Sequence, residues 1–181
     1  MTIKNLILAA LMGVLVALTS GQAHSMHHEK GEAKKADKTY QRKKLDDKVR
    51  AQLIAVYEAN EKLHAAFFTY DAAAVEKNAV ELRNLLLKIT QKDLKKHFKR
   101  TLVQLEKITK DQNQEKNNHQ YNLVSKKLVQ ALGLYDLGGT YNVYSCPMVK
   151  KVWVQNSKKM DKVHNPYASY MPHCGTKDTN F

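Results

Sequence analysis

The sequence predicts a mainly α protein, an up-and-down four-helix bundle carrying a small Cys/Met-rich C-terminal cap. Three observations carry that expectation. Four separate stretches repeat apolar residues at three- and four-residue steps, the period of one helix face. Aromatic residues make up only 8% of the chain and glycine and proline are scarce, which disfavours a sandwich or barrel. The character then changes near the C-terminus, where residues 144–175 hold both cysteines, the only tryptophan and all three prolines.

The chain opens on Met1-Thr2-Ile3-Lys4, runs through an apolar stretch over 6–18 and reaches small residues at Gly21, Ala23 and Ser25. A basic start, a short apolar run and alternating small residues are the parts of a secretory signal, with cleavage expected after Ala23 or Ser25. The run is too short to span a bilayer comfortably, because a spanning helix needs about 20 apolar residues. No cysteine follows it, which excludes a lipoprotein anchor. Residues 1–25 are therefore expected to be a signal peptide and the mature protein to be periplasmic, with no further membrane span. The remainder is long enough for one domain burying about 70% of its unfolded surface.

Residues 26–44 are polar and charged without an apolar period, the composition of a disordered lead-in. They and the end of the leader hold His24, His27 and His28. Cleavage after Ser25 would put His28 third from a free amine, an arrangement that wraps square-planar Cu(II) or Ni(II). A tail that merely contains histidines is the preferred reading.

The first helix is predicted over 45–68, with Leu45, Val49, Leu53, Val56, Leu63 and Phe67 on one stripe. Asp71 suits the N-cap of the second, which carries Val75, Ala79, Leu82, Leu86 and Ile89 at bundle-seam spacing. Thr90 and Asp93 have the form of a capping box for the third, whose stripe is Leu94, Phe98, Leu102, Leu105 and Ile108. Residues 110–118 are wholly polar and read as a connection. The fourth helix carries Tyr121, Val124, Leu128, Leu132 and Tyr135, and Gly133 with Gly138-Gly139 ends it. Short links between four helices imply antiparallel neighbours. His64, His97 and His119 are isolated in sequence and are expected at the surface or its boundary.

Beyond Gly139, residues 141–144 and 152–155 are rich in β-branched and aromatic side chains, so a short hairpin is expected. Asn165-Pro166-Tyr167 should turn, since asparagine bonds its own backbone and proline fixes φ. The soft donors lie around these elements. Cys146 and Met148 share a side if their segment is extended, and Met171 and Cys174 share a face if theirs makes a helical turn. Two thiolates and two thioethers would then converge, a set that selects Cu(I) or another soft ion over Mg(II) or Ca(II). His164 and His173 are spare ligands. The competing reading is a Cys146–Cys174 disulfide, the usual fate of a lone pair in an oxidising compartment. By the residues alone the disulfide is preferred, and alternation between the two states stays open.

The net charge of +13 raises nucleic acid as a partner. Export and lysines spread along every helix argue against it, in favour of a solvated basic surface suited to anionic lipid or glycan. No Cys-x-x-Cys pair, Gly-rich phosphate loop or nucleophile elbow is present, so no enzyme is expected.

The ordered motif Cys146-Pro147-Met148, Trp153, Asn165-Pro166-Tyr167 and Met171-Pro172-His173-Cys174-Gly175 resembles the bacterial family called domain of unknown function 3347. The resemblance runs from about Leu45 onward, though the helical half matches only in pattern. One departure is Ala168-Ser169, where the family often has Tyr-Gly after Asn-Pro-Tyr. Members of that family occur alone and within periplasmic adaptors of heavy-metal efflux pumps. The resemblance implies Cys146, Met148, Met171 and Cys174 as metal ligands, copper as Cu(I) as the cofactor or cargo, and an efflux adaptor or pump as partner. With it, periplasmic soft-metal binding becomes the preferred function. A structural or interaction domain stapled by the disulfide is the alternative.

Overall fold

The computed structural model describes residues 41–181. The expected signal peptide and most of the lead-in, with His24, His27 and His28, lie outside the described residues. Four helices come first: α1 (Asp47–Thr69), α2 (Ala72–Lys88), α3 (Lys92–Glu106) and α4 (Gln114–Leu134). Three strands follow, β1 (Tyr141–Cys146), β2 (Lys151–Asn156) and β3 (Thr176–Lys177). Among the described residues no helix is long and apolar enough to cross a membrane.

Local chemistry sets the helix ends. The Asp46 carboxylate accepts the Val49 amide at 2.9 Å and starts α1. Tyr70 stops α1 in the left-handed region at φ 44°, and Asp71 caps α2 through Ala74 at 3.0 Å, as the sequence indicates. The capping box expected at Thr90 does not form. Gln91 is the N-cap of α3 and makes no side-chain cap, while Thr90 donates its amide and hydroxyl to Gln52 Oε1. A long-range partner on α1 has taken the group that a local cap would have used. The polar connection is also shorter than expected, because Asn113 caps α4 through the Lys116 amide at 2.8 Å. Residues 114–118 are thus helical, and the inward position there is a polar one, Asn117, bonded to Thr109 and Tyr70.

Cross-links fix the relative directions of the helices. Gln52 near the start of α1 bonds the carbonyl of Lys88 at the end of α2, and Lys62 meets Glu81. Glu76 near the start of α2 accepts the Lys110 amide just beyond α3, and His97 near the start of α3 lies 2.8 Å from the Lys127 carbonyl towards the end of α4. Tyr57 of α1 donates to the Leu128 carbonyl, and Tyr121 of α4 donates to Asn60. Each neighbour runs opposite to the last, a layout compatible with the expected bundle. The predicted stripes form one core, with Leu53, Val75, Leu82, Leu94, Val124 and Leu128 fully buried. That core is made entirely by residues between Val49 and Val154, with partly buried neighbours from Leu45 to Phe181.

The C-terminal part corrects the expectation of a simple cap. The hairpin is present, but it belongs to an antiparallel sheet of three strands in the order β2-β1-β3. Its register sets Tyr144 opposite Trp153 and Cys146 opposite Lys151. The end of the chain closes the other edge, where Asp178 donates its amide to Val143 O at 2.8 Å. The last residues of the expected lead-in are also tied down. Lys43 forms a bridge with Tyr135, Arg42 pairs with Asp136 at 3.2 Å and sits 4.1 Å over the Phe181 ring.

A second stripe on α1 holds the sheet. Tyr57, Glu61, His64 and Phe68 recur at steps of four and three, so they share a face. Tyr57 packs on Tyr141 with ring centroids 5.1 Å apart, and Phe68 stacks on His164 at 4.7 Å. Glu61 accepts from Tyr141 and Asn156, each at 2.7 Å, and pairs with Lys159 at 2.8 Å. His64 is therefore buried, 2% exposed, and not at the surface where sequence isolation would place it.

Candidate functional site

Cys146 closes β1 with its side chain in a small second core made by Tyr144, Cys146 and Trp153. The turn over 147–150 leaves directly from it, and Lys150 adopts φ 53° to return the chain into β2. Trp153 is fully buried and packs against Tyr144 at 6.2 Å and Tyr167 at 6.3 Å. Its indole N–H points to Gln155 Oε1 at 3.4 Å, and Gln155 in turn donates to the Lys162 carbonyl and accepts the His164 amide. Thus β2 fixes the start of the segment that brings the second cysteine back.

Asn165 is the centre of that return. Its side-chain oxygen accepts the Tyr167 amide at 2.9 Å, making the expected turn. Its amide group donates to the Cys174 carbonyl at 3.0 Å, and its own N–H bonds the Pro172 carbonyl at 2.8 Å. The Tyr167 hydroxyl donates to Ser125 on α4 at 2.8 Å, anchoring the loop to the helices. Met171 and Cys174 bracket one turn, in which the Cys174 amide bonds the Met171 carbonyl at 3.0 Å. Gly175 then passes so close that a Cβ there would meet the Ser145 carbonyl oxygen at 2.7 Å and Trp153 Cη2 at 2.9 Å.

The result is a thiol pair. Cys146 and Cys174 are unbonded, one buried and the other half-buried, and Cys174 packs against the small core that holds Cys146. Burial pushes the Cys146 thiol up. The Cys174 thiol, the amide groups of Val149 and Met148 and the Asn165 side chain together outweigh it, so its pKa falls below the ordinary value. Cys174 moves the other way, raised by its hydrogen bond to Cys146, by burial and by the neighbouring sulfur charge. Within the pair Cys146 is therefore the more readily ionised sulfur and Cys174 the one that holds its proton longer. The thiolate is the form that acts as nucleophile or soft-metal ligand, so the bias favours Cys146 in that role.

Met148 and Met171 are placed differently from the cysteines. The segment after Cys146 is a turn and not the extended run that would set two sulfurs on one side. Met148 stands 69% exposed on that turn, and Met171 is partly buried at the head of the other. His164 and His173 approach each other at 5.8 Å between ring centroids, with Phe68 beneath His164. His173 Nδ1 lies 2.7 Å from the Val163 carbonyl, so as a donor there it leaves Nε2 with the free lone pair. Among the described residues no three histidine, cysteine or carboxylate side chains converge as a metal group. Sequence reasoning gave Asn165 a turn and assigned Gly175 only to a motif. The signal for a larger role was their fixed spacing from Cys174, whose meaning needs the fold.

No family model matches the chain, and neither does any curated protein or solved structure.

Proposed function

We propose that the protein binds a soft metal ion, Cu(I) first, in the periplasm, as a reservoir, chaperone or efflux accessory. The supporting observation is the Cys146–Cys174 pair, two unbonded cysteines packed at one small core, with Cys146 the more readily ionised. Two sulfurs suit Cu(I), which prefers soft ligands. Binding would displace the protons of the two thiols, so affinity should rise with pH. Met148, on the exposed turn leaving Cys146, and Met171, at the head of the turn reaching Cys174, supply thioethers. The up-and-down bundle serves as a rigid scaffold, and the likeness to the 3347 family motif adds an efflux adaptor or pump as partner.

The same contact supports a second reading, a disulfide staple joining the end of β1 to the last turn. Closing that loop would stabilise the fold by about 3–4 kcal/mol in the chain-entropy model. A thiol count with Cu(I) titration, on protein purified anaerobically, separates the two. Metal binding requires two free thiols and tight stoichiometric Cu(I), lost on Cys146→Ser or Cys174→Ser. No free thiols and no binding before reduction would make the pair a staple. Met148→Leu/Met171→Leu conserves volume and should keep the fold while weakening Cu(I) binding. Unchanged affinity would remove the thioethers from the site.

A further inference from the structure

α3, α4 and the segment before α1 line an open cleft of ≈ 550 Å³ that includes neither cysteine. Five cations line it: Lys43, Lys96, Lys99, Arg100 and Lys127, against a single carboxylate, Asp93. Among the described residues none of the five has a salt-bridge partner, although four ion pairs form elsewhere. Their backbones are fixed in place. The Lys43 amide bonds the Leu134 carbonyl at 2.8 Å, and the Lys127 carbonyl lies 2.8 Å from His97 Nε2. Lys99 and Arg100 lie three and four residues beyond Lys96 on α3, about 5–6 Å from it between Cβ atoms. That is inside the Debye length of about 8 Å at physiological salt, so salt screens their mutual repulsion only in part. An anion in the cleft relieves that repulsion.

Apolar side chains flank the charges. Leu134 lines the cleft and is 48% exposed. Val103 is 47% exposed and lies seven residues beyond Lys96, on the same face of α3. Basic side chains with exposed apolar neighbours on one helix face are the composition of a surface that lies in the headgroup layer of a bilayer. Binding of single-stranded nucleic acid would instead call for exposed aromatic platforms. Tyr135, the one phenol at the cleft, is only 7% exposed.

We propose that this cleft docks the protein on an anionic bilayer by holding lipid phosphate groups. The proposal is independent of the thiol pair. Residues 26–181 contain the whole described core and are the material to test, free of the apolar leader. Co-sedimentation would use phosphatidylcholine vesicles with and without phosphatidylglycerol. Binding is expected only with the anionic lipid. The exposed triple change Lys96→Glu/Lys99→Glu/Arg100→Glu should weaken it by at least about a hundredfold, from roughly fivefold per cation at such a surface. Lys77→Glu/Lys158→Glu/Lys162→Glu carries the same charge change outside the cleft and should lose far less. Lys96→Gln/Lys99→Gln/Arg100→Gln gives a second variant should the reversal unfold α3. Equal losses in the two charge-reversed proteins would reduce the effect to net charge and overturn the proposal. So would absence of binding to anionic vesicles, or cleft-dependent binding seen only with inorganic phosphate or an oligonucleotide.

Discussion

Replacing Gly175 by alanine should be among the most damaging single-methyl changes in this protein. Gly175 has φ 146°, a backbone region that residues with a Cβ rarely adopt, at a cost of about 1–3 kcal/mol. The new methyl would also sit 2.7 Å from Ser145 O, 2.9 Å from Trp153 Cη2 and 3.2 Å from Val163 Cγ1. The first contact is backbone in β1, and the second belongs to a fully buried ring, so neither yields cheaply. Overpacking of this kind costs about 1–3 kcal/mol. Reduced freedom of the unfolded chain returns about 0.4–1 kcal/mol. The net destabilisation is therefore about 1–5 kcal/mol, centred on about 3 kcal/mol. Urea unfolding followed by tryptophan fluorescence reads it directly, since Trp153 is the only indole.

Gly133→Ala supplies the opposite sign in the same experiment. It lies in the last turn of α4, where an added Cβ meets nothing within 4 Å. Alanine there should stabilise by about 0.5–1 kcal/mol. A second readout concerns the site itself. Cys174 precedes Gly175, so moving the chain off Ser145 should separate the two thiols, and Cu(I) affinity should fall with stability. The reasoning fails if Gly175→Ala costs under about 0.5 kcal/mol with an unchanged m-value. The chain would then pass Trp153 less closely than described.

Two other expectations concern the face between α1 and the sheet. Glu61→Ala strands the Tyr141 hydroxyl and the Asn156 amide, and should cost about 2–4 kcal/mol by thermal or urea unfolding. A cost within experimental error would mean that water satisfies both groups. Burial raises the Glu61 pKa, but Lys159, Asn156 and Tyr141 outweigh it and hold the carboxyl below its ordinary value. Its contribution is therefore present above the unfolded-state pKa and is lost as pH falls below about 4.5. His64 gives a separate acid dependence. Burial first and His164 next draw its pKa down to about 4, against the favourable influence of the Glu61 charge and the His164 and Val154 carbonyls. Between pH 6.5 and about 4 the unfolded chain binds a proton that the native state refuses, so stability drops with falling pH. The loss is on the order of 3 kcal/mol over that interval. In His64→Gln that part of the pH slope should vanish. A parent-like slope in the variant would assign the titration to another group.

What the sequence revealed, and what it hid, follow from how far apart the interacting residues lie. Stripes such as Val75, Ala79, Leu82 and Leu86 are periodic within one helix, so the four helices were legible from spacing alone. Asp71 was legible for the same reason, because its cap is three residues away. Thr90 was misleading, since its partner Gln52 lies 38 residues off. The polar start of α4 concealed a helical turn because its buried member, Asn117, is satisfied by Thr109 and Tyr70. At the candidate site, the cysteines stood out by rarity, while Asn165 and Gly175 looked like ordinary turn residues. The face formed by Tyr57, Glu61, His64 and Phe68 was the largest omission. It has helical period, yet Glu61 and His64 are not apolar, so a search for apolar stripes passes over it. That mixture is itself informative. A purely apolar face would join sheet and helices without regard to register. Here the Glu61 bonds to Tyr141 and Asn156, one at each end of a paired register position, admit a single docking of the hairpin. The polar face thereby fixes where β1 begins, and with it where Cys146, at the other end of the strand, stands to meet Cys174.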